Sequence, residues 1–135
     1  MSPVLIQGGL HADARGSLRF CNEFDMGAVK RFYTISNSVE CPERGWIGHK
    51  RETKWFFPLK GTTTITVEPM DVDVLAAKNA EVAKDVFVLE EEKPSVLKVP
   101  PGNWFCIKQD GTAEVMVFSD CKVGEFKNDD FRKAL

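Results

Sequence analysis

Residues 44–67 read Arg44-Gly45-Trp46-Ile47-Gly48-His49-Lys50-Arg51-Glu52-Thr53-Lys54-Trp55-Phe56-Phe57-Pro58-Leu59-Lys60-Gly61-Thr62-Thr63-Thr64-Ile65-Thr66-Val67. The last six residues settle the local backbone. A helix restricts the rotamers of β-branched side chains, whereas a pleated surface accommodates them, so Thr62 to Val67 is a strand. Lys60-Gly61 supplies turn chemistry just before it. Glu52 to Leu59, rich in aromatics, is the strand on the other side of that turn.

Working outward, the same period-two and composition signals give strands at Val4–Gln7, Ser17–Phe24 and Val29–Ser36. Further strands fall at Asp85–Glu91, Val96–Val99, Trp104–Lys108 and Ala113–Phe118. The breaks carry turn residues, among them Gly8-Gly9, Cys41-Pro42-Glu43, Pro100-Pro101-Gly102 and Asp110-Gly111. Nine short strands at regular spacing predict an all-β sandwich or jelly roll. Val74 to Lys84, with Leu75, Ala76, Ala77, Ala80 and Ala83, reads as either a short helix or a long hairpin loop. The tail from Asn128 to Leu135 reads as a short C-terminal helix capped by Asn128 or Asp129. Trp46, between glycines, reads as a loop residue at a rim, and His11 as a surface residue in a polar loop.

The chain has 135 residues, of which 43% are hydrophobic, enough for one domain with a genuine core spanning residues 1–135. Eighteen basic and twenty acidic residues nearly cancel. No global field is available to attract nucleic acid or an anionic membrane, so any anion site must be local. Cys21, Cys41, Cys106 and Cys121 are widely spaced, without a Cys-x-x-Cys pair, which favours a reduced, cytoplasmic protein. Met1 to Gly9 lacks the basic start and apolar run of a secretory signal, and no stretch has the eighteen or more apolar residues of a membrane helix. A soluble, unprocessed protein is expected.

Residues 44–61 resemble the first signature of the cupins, in which two histidines two residues apart are followed by an acidic residue and a closing glycine. Those slots hold Ile47, His49, Lys54 and Gly61. Pro100, Pro101 and Gly102 resemble the second signature, but Phe105 stands in its histidine slot. The resemblance implies a cupin double-stranded β-helix, a jelly-roll barrel. A transition metal needs three or four N, O or S ligands converging on a point, and this residue set does not supply them. Neither a metal nor an organic cofactor is expected.

The resemblance narrows to the nucleotide-sugar branch of the cupins, the dTDP-4-dehydrorhamnose 3,5-epimerases and dTDP-4-keto-6-deoxyhexose 3,4-ketoisomerases. Asp13-Ala14-Arg15-Gly16 resembles the opening Asp-x-Arg-Gly element, and Val29 to Asn37 the ketoisomerase strand that follows. Arg44 to Lys50 falls on the Arg-Gly-x-His-Ala-His-Lys signature, and Val99 to Phe105 on the Ile-Pro-Pro-Gly-x-Trp element. The first histidine of the pair, the catalytic one of the epimerases, is here Ile47. The second survives as His49. Lys54 occupies a position where the resemblance implies lysine in epimerases and glutamine in ketoisomerases.

Both reactions remove a proton from carbon beside a ketone, which requires a base titrating near neutrality and a group facing the enolate oxygen. His49 is the candidate base, Lys54 its enolate partner, and Tyr33, the only tyrosine, a second proton donor. Strand alternation places Ile47 and His49 on one face. Lys54 has a plainer alternative, solvating the outer face of its strand. Arg15, Arg44 and Lys50 are candidate diphosphate contacts, since arginine offers a fork for phosphate oxygens and lysine a point charge. Trp104 is a candidate for stacking on base or sugar.

The implied function is a metal-independent isomerase acting on a dTDP-linked 4-keto-6-deoxyhexose. The alternative is an inactive cupin that binds a sugar or sugar nucleotide without turning it over. The resemblance further implies a homodimer, with Asp13 and Arg15 reaching toward the neighbouring subunit.

Overall fold

The computed structural model describes residues 1–71 and 84–135. Its strands in chain order are β1 (Val4–Gln7), β2 (Gly9–Asp13), β3 (Gly16–Phe20), β4 (Arg31–Ile35), β5 (Glu43–His49) and β6 (Lys54–Lys60). They continue as β7 (Thr62–Pro69), β8 (Asp85–Glu90), β9 (Ser95–Val99), β10 (Asn103–Gln109), β11 (Glu114–Ser119) and β12 (Phe131–Arg132). One five-stranded sheet runs β1-β9-β6-β11-β4, a second runs β12-β5-β10-β7-β8, and β2-β3 form a separate hairpin. The strand pairings within them are antiparallel. This is the jelly-roll barrel of the cupins.

Alternation builds the core. Ile47, Ile65, Val67, Phe105 and Ile107 from one sheet meet Phe56, Leu97, Val99, Val115 and Val117 from the other. The Phe56 and Phe105 rings join the sheets edge-on with centroids 5.4 Å apart. Two of the three slots that hold histidine in the metal-binding cupin pattern therefore hold core residues, and these two, Phe105 and Ile47, stand opposite each other in the β5–β10 register. The far end of the barrel is tied by buried Gln109, whose amide donates to Ile35 O and Thr63 Oγ1 and accepts from Asn37 N at 2.6 Å.

The β6–β7 turn turns on Gly61, whose φ of +65° favours glycine. A Cβ there would also lie 3.0 Å from Ala113 Cα. Gly48 on β5 has a different reason: a Cβ would lie 2.7 Å from the Trp104 ring, which packs over the glycine.

Three expectations need correction. The tail is not a helix: Phe131–Arg132 pair with Gly48 and Ile47 of β5. Asn128 adopts φ 61°, and the Asp129 carboxylate accepts from the backbone of residues 50–52, so neither caps a helix. Trp46 is not a rim loop residue but a buried member of β5. His11 lies on strand β2, though on the surface as expected. The segment 74–84, read as helix or hairpin loop, falls outside the described residues apart from Lys84.

Candidate active site

On β5 the inward side chains are Ile47 and His49, as alternation requires, and both line one polar cavity of about 600 Å³. Lys54 of β6 and Tyr33 of β4 line it from the facing sheet. Lys54 is buried rather than solvating an outer face.

His49 is held in one orientation. Its Nδ1 lies 2.6 Å from the carbonyl oxygen of Asp129. A carbonyl only accepts, so Nδ1 carries a proton and donates, and in the neutral ring the lone pair is therefore on Nε2. That Nε2 is buried and has no hydrogen-bond partner among the described residues. Buried polar atoms are nearly always satisfied, which makes an unsatisfied imidazole nitrogen in a cavity wall a site waiting for an acceptor's counterpart, a proton from a ligand.

Beside it lies a buried charge network centred on Glu52. Its Oε2 accepts from Ser119 Oγ at 2.6 Å and faces Lys54 Nζ at 3.3 Å and Arg31 Nη2 at 3.5 Å. Its Oε1 is 3.8 Å from His49 Nδ1. Lys54 Nζ in turn donates to Tyr33 OH at 2.5 Å. Buried charges persist when paired in this way. Glu52 thus compensates Lys54 and Arg31, while the Tyr33 hydroxyl proton remains free to point into the cavity. Arg31 is anchored by donation from Nε to Cys121 O at 2.8 Å and lies over the Tyr33 ring.

The C-terminal segment closes the site. The Asp129 carboxylate accepts from the backbone N–H groups of Lys50, Arg51 and Glu52 at 2.6, 3.0 and 2.9 Å. Desolvation is the largest single influence on Asp129 and favours its neutral form, but the three N–H donors together hold the carboxyl below its ordinary value. The Arg132 guanidinium likewise holds Asp130 low, through bonds of 2.9 and 3.1 Å. Asp129, Asp130 and Arg132 all line the cavity.

The structure thus brings together His49, Lys54, Tyr33 and Arg44, the last donating from Nε to Asn37 Oδ1 at 3.1 Å. It places Arg15, Lys50 and Trp104 elsewhere. Arg15 is at the exposed tip of the β2–β3 hairpin, paired with Asp13 at 2.7 Å. Lys50 lies over the Phe131 ring. Trp104 sits opposite Gly48, on the face of its sheet turned away from His49. Sequence reasoning missed Arg31, Glu52, Asp129, Asp130 and Arg132. Glu52, three residues after His49, carried a signal in its spacing, but the tail carried none. Among the described residues no group of three or more His, Cys, Asp or Glu is placed to hold a metal ion.

No protein-family model matches the sequence, and no curated protein matches it as a relative. Solved structures do. A 3,4-ketoisomerase from Helicobacter canadensis superposes with a TM-score of 0.73 at 17% identity, over 98% of this chain and 92% of that one. A 3,4-ketoisomerase variant from Thermoanaerobacterium thermosaccharolyticum, in complex with TDP-4-keto-6-deoxyglucose, gives 0.71 at 20% identity over 97% and 87%. The RmlC epimerase of Mycobacterium tuberculosis gives 0.73 at 14% identity over 96% and 68%. At these identities the likeness establishes the fold, an RmlC-type cupin barrel.

Proposed function

We propose that this protein is a metal-independent isomerase of a nucleotide-linked 4-keto-6-deoxyhexose, of the 3,4-ketoisomerase type. One observation carries the reading: a buried, unpartnered His49 Nε2 in the wall of the cavity that also holds the Tyr33–Lys54 pair. The fold shared with sugar-nucleotide isomerases supports it.

In this mechanism His49 Nε2 takes the proton from C3, and the electrons flow into the C4 carbonyl to form an enediolate. Tyr33, backed by Lys54, donates to the oxygen at C4 and receives the hydroxyl proton from the oxygen at C3. His49 then returns its proton to C4. One base working from one side suffices, consistent with Ile47 leaving His49 as the only imidazole at the cavity. Inverting C3 and C5 would instead require donation from the opposite face. Arg44, Lys122 and Arg132 line the cavity and supply the positive charge for the diphosphate.

The reading includes a homodimer in the cytoplasm. A two-stranded hairpin is marginally stable by itself, and β2–β3 exposes Leu10 and Leu18. By the β2–β3 register Leu10 and Leu18 face opposite sides of the hairpin, so the proposed second copy would enclose it, with Arg15 at its tip offered to the partner. All four cysteines are free, in keeping with a reducing compartment. No helix among the described residues is long and apolar enough to cross a membrane.

The test is proton NMR in deuterium oxide with dTDP-4-keto-6-deoxyglucose. Loss of the C3 proton signal with formation of the 3-keto sugar is expected. Loss at C5 would assign a 3,5-epimerase, and binding without exchange would leave a sugar-nucleotide binding protein. His49→Asn should reduce turnover at least about a hundredfold while retaining affinity; undiminished turnover would remove His49 from the chemistry.

A further inference from the structure

We propose that Lys133, which does not line the cavity, is a positioning residue that latches the C-terminal segment onto the barrel and so fixes the ring of His49. The inference rests on His49 as the base of the reaction proposed above.

The segment needs a latch. Strand β12 is two residues long and lies at a sheet edge, paired only with β5. Two residues of ladder do not hold a chain end in place, because pairing must outweigh the conformational entropy of every ordered residue. Yet Asp129, two residues before β12, supplies the carbonyl that sets the His49 tautomer. Its carboxylate is held by the backbone N–H groups of residues 50–52, and the direction of its carbonyl depends further on how the chain that follows is anchored.

The anchorage downstream is Lys133. Its backbone N–H donates to Trp46 O at 3.2 Å. Its ammonium lies 5.0 Å from the centre of the Trp46 ring and 4.9 Å from that of Trp104, and it is ion-paired with Glu68. Glu68 is buried and stands directly opposite Trp104 in the β7–β10 register. A buried carboxylate requires a counter-charge. Lys84, 3.9 Å from Glu68 and 5.5 Å from the Trp46 ring centre, is the second cation at this point but is no part of the C-terminal segment. Two aromatic faces and a carboxylate together define a cation site on the outer face of the sheet. Gly48 belongs to it, because only a glycine there lets Trp104 lie flat across β5.

The two faces of β5 thus have complementary tasks. Trp46 and Gly48 outside receive the latch, while Ile47 and His49 inside face the cavity. The connection between them is the short run from Asp129 to Lys133.

The test compares Lys133→Met and Lys133→Arg with the parent protein by nitrogen-15 NMR of the histidine rings. There are two histidines, and His11→Gln in each background identifies the His49 signals. In the parent, Nδ1 of His49 should carry the proton and Nε2 should be bare. In Lys133→Met the ring should move toward a mixture of tautomers. Its kcat should fall about tenfold or more, as small misplacements of reacting groups do, with the KM for the sugar nucleotide little changed. Lys133→Arg, which retains charge and stacks on tryptophan, should keep the parent pattern. Glu68→Gln weakens the latch while leaving Lys133 in place, and should shift the tautomer in the same direction if Lys133→Met does not fold. Parent-like tautomer in Lys133→Met, or in Glu68→Gln where the first variant does not fold, would overturn the latch. The ring signals need no substrate, so absence of turnover would count against the proposed reaction alone, whereas turnover with an unmoved tautomer would count against the latch alone.

Discussion

Ile47 and Phe105 occupy positions where the cupin signatures carry histidine, and both belong to the barrel core. Ile47→His should therefore destabilise the fold by about 1–3 kcal/mol, the usual cost of an incompletely paired polar group where the side chain packs on the core at the edge of the cavity. Urea unfolding would measure it, and an unchanged midpoint would show that the histidine finds partners in the cavity. Gly48→Ala should cost a similar amount, about 1–3 kcal/mol, because its Cβ would displace the Trp104 ring. Altered tryptophan emission should accompany that loss. The inward face of His49 was legible from alternation, whereas Lys54 and Arg44 were legible as cavity residues only from residue type and spacing, since strict alternation turns Arg44 away from His49 and a register shift between β5 and β10 brings it back. Tyr33 was legible only as the single tyrosine. Asp129 was not, since its contact to His49 spans 80 residues and a carbonyl oxygen has no side-chain signature.

Among elements, the β6–β7 hairpin and the C-terminal segment differ in how local their determinants are. The hairpin is written in its own sequence, as a threonine-rich strand after a lysine-glycine turn. Gly61→Val should destabilise it by about 1–3 kcal/mol, since φ is +65° and Ala113 lies in the way. Thermal unfolding would show the shift. Strand β5 was harder to see, because Gly45 and Gly48 interrupt the alternation on which strand recognition depends. The tail was misread because Asn and Asp before a charged run signal a helix start, whereas here the Asp129 side chain serves the backbone of another loop. The pH dependence of that bond has a definite sign. The folded-state pKa of Asp129 is depressed, so its contribution is complete above the ordinary carboxylate value of 3.8 and disappears as pH falls through the lower folded value. Asp129→Asn should destabilise the protein at pH 7 by about 1–3 kcal/mol and reduce this acid sensitivity. An unchanged difference in stability between pH 7 and pH 3 would contradict the assignment.

For the whole molecule, strand spacing pointed to an all-β sandwich or jelly roll, and the cupin resemblance narrowed it to the jelly-roll barrel. Assembly did not follow from either. The β2–β3 hairpin stands apart as its own sheet, with Leu10 47% and Leu18 59% exposed. Phe32 on the edge strand β4 is 66% exposed. Leu10→Glu with Leu18→Glu should convert the proposed dimer to monomer in sedimentation velocity. A parent protein already monomeric at micromolar concentration would contradict the dimer. The double variant should also bind the sugar nucleotide more weakly if Arg15 serves the partner's cavity, whereas unchanged affinity would separate assembly from binding.

The carbonyl that orients His49 belongs to a residue 80 positions later in the chain. A chain ending just ahead of Asp129 still contains every strand from β1 to β11. Such a chain can thus possess both packed sheets, with Tyr33, Ile47, His49 and Lys54 on the inner wall, while its imidazole turns freely. Shape and chemical competence are thus separable, and a chain cut ahead of Asp129 would keep the barrel without a directed base.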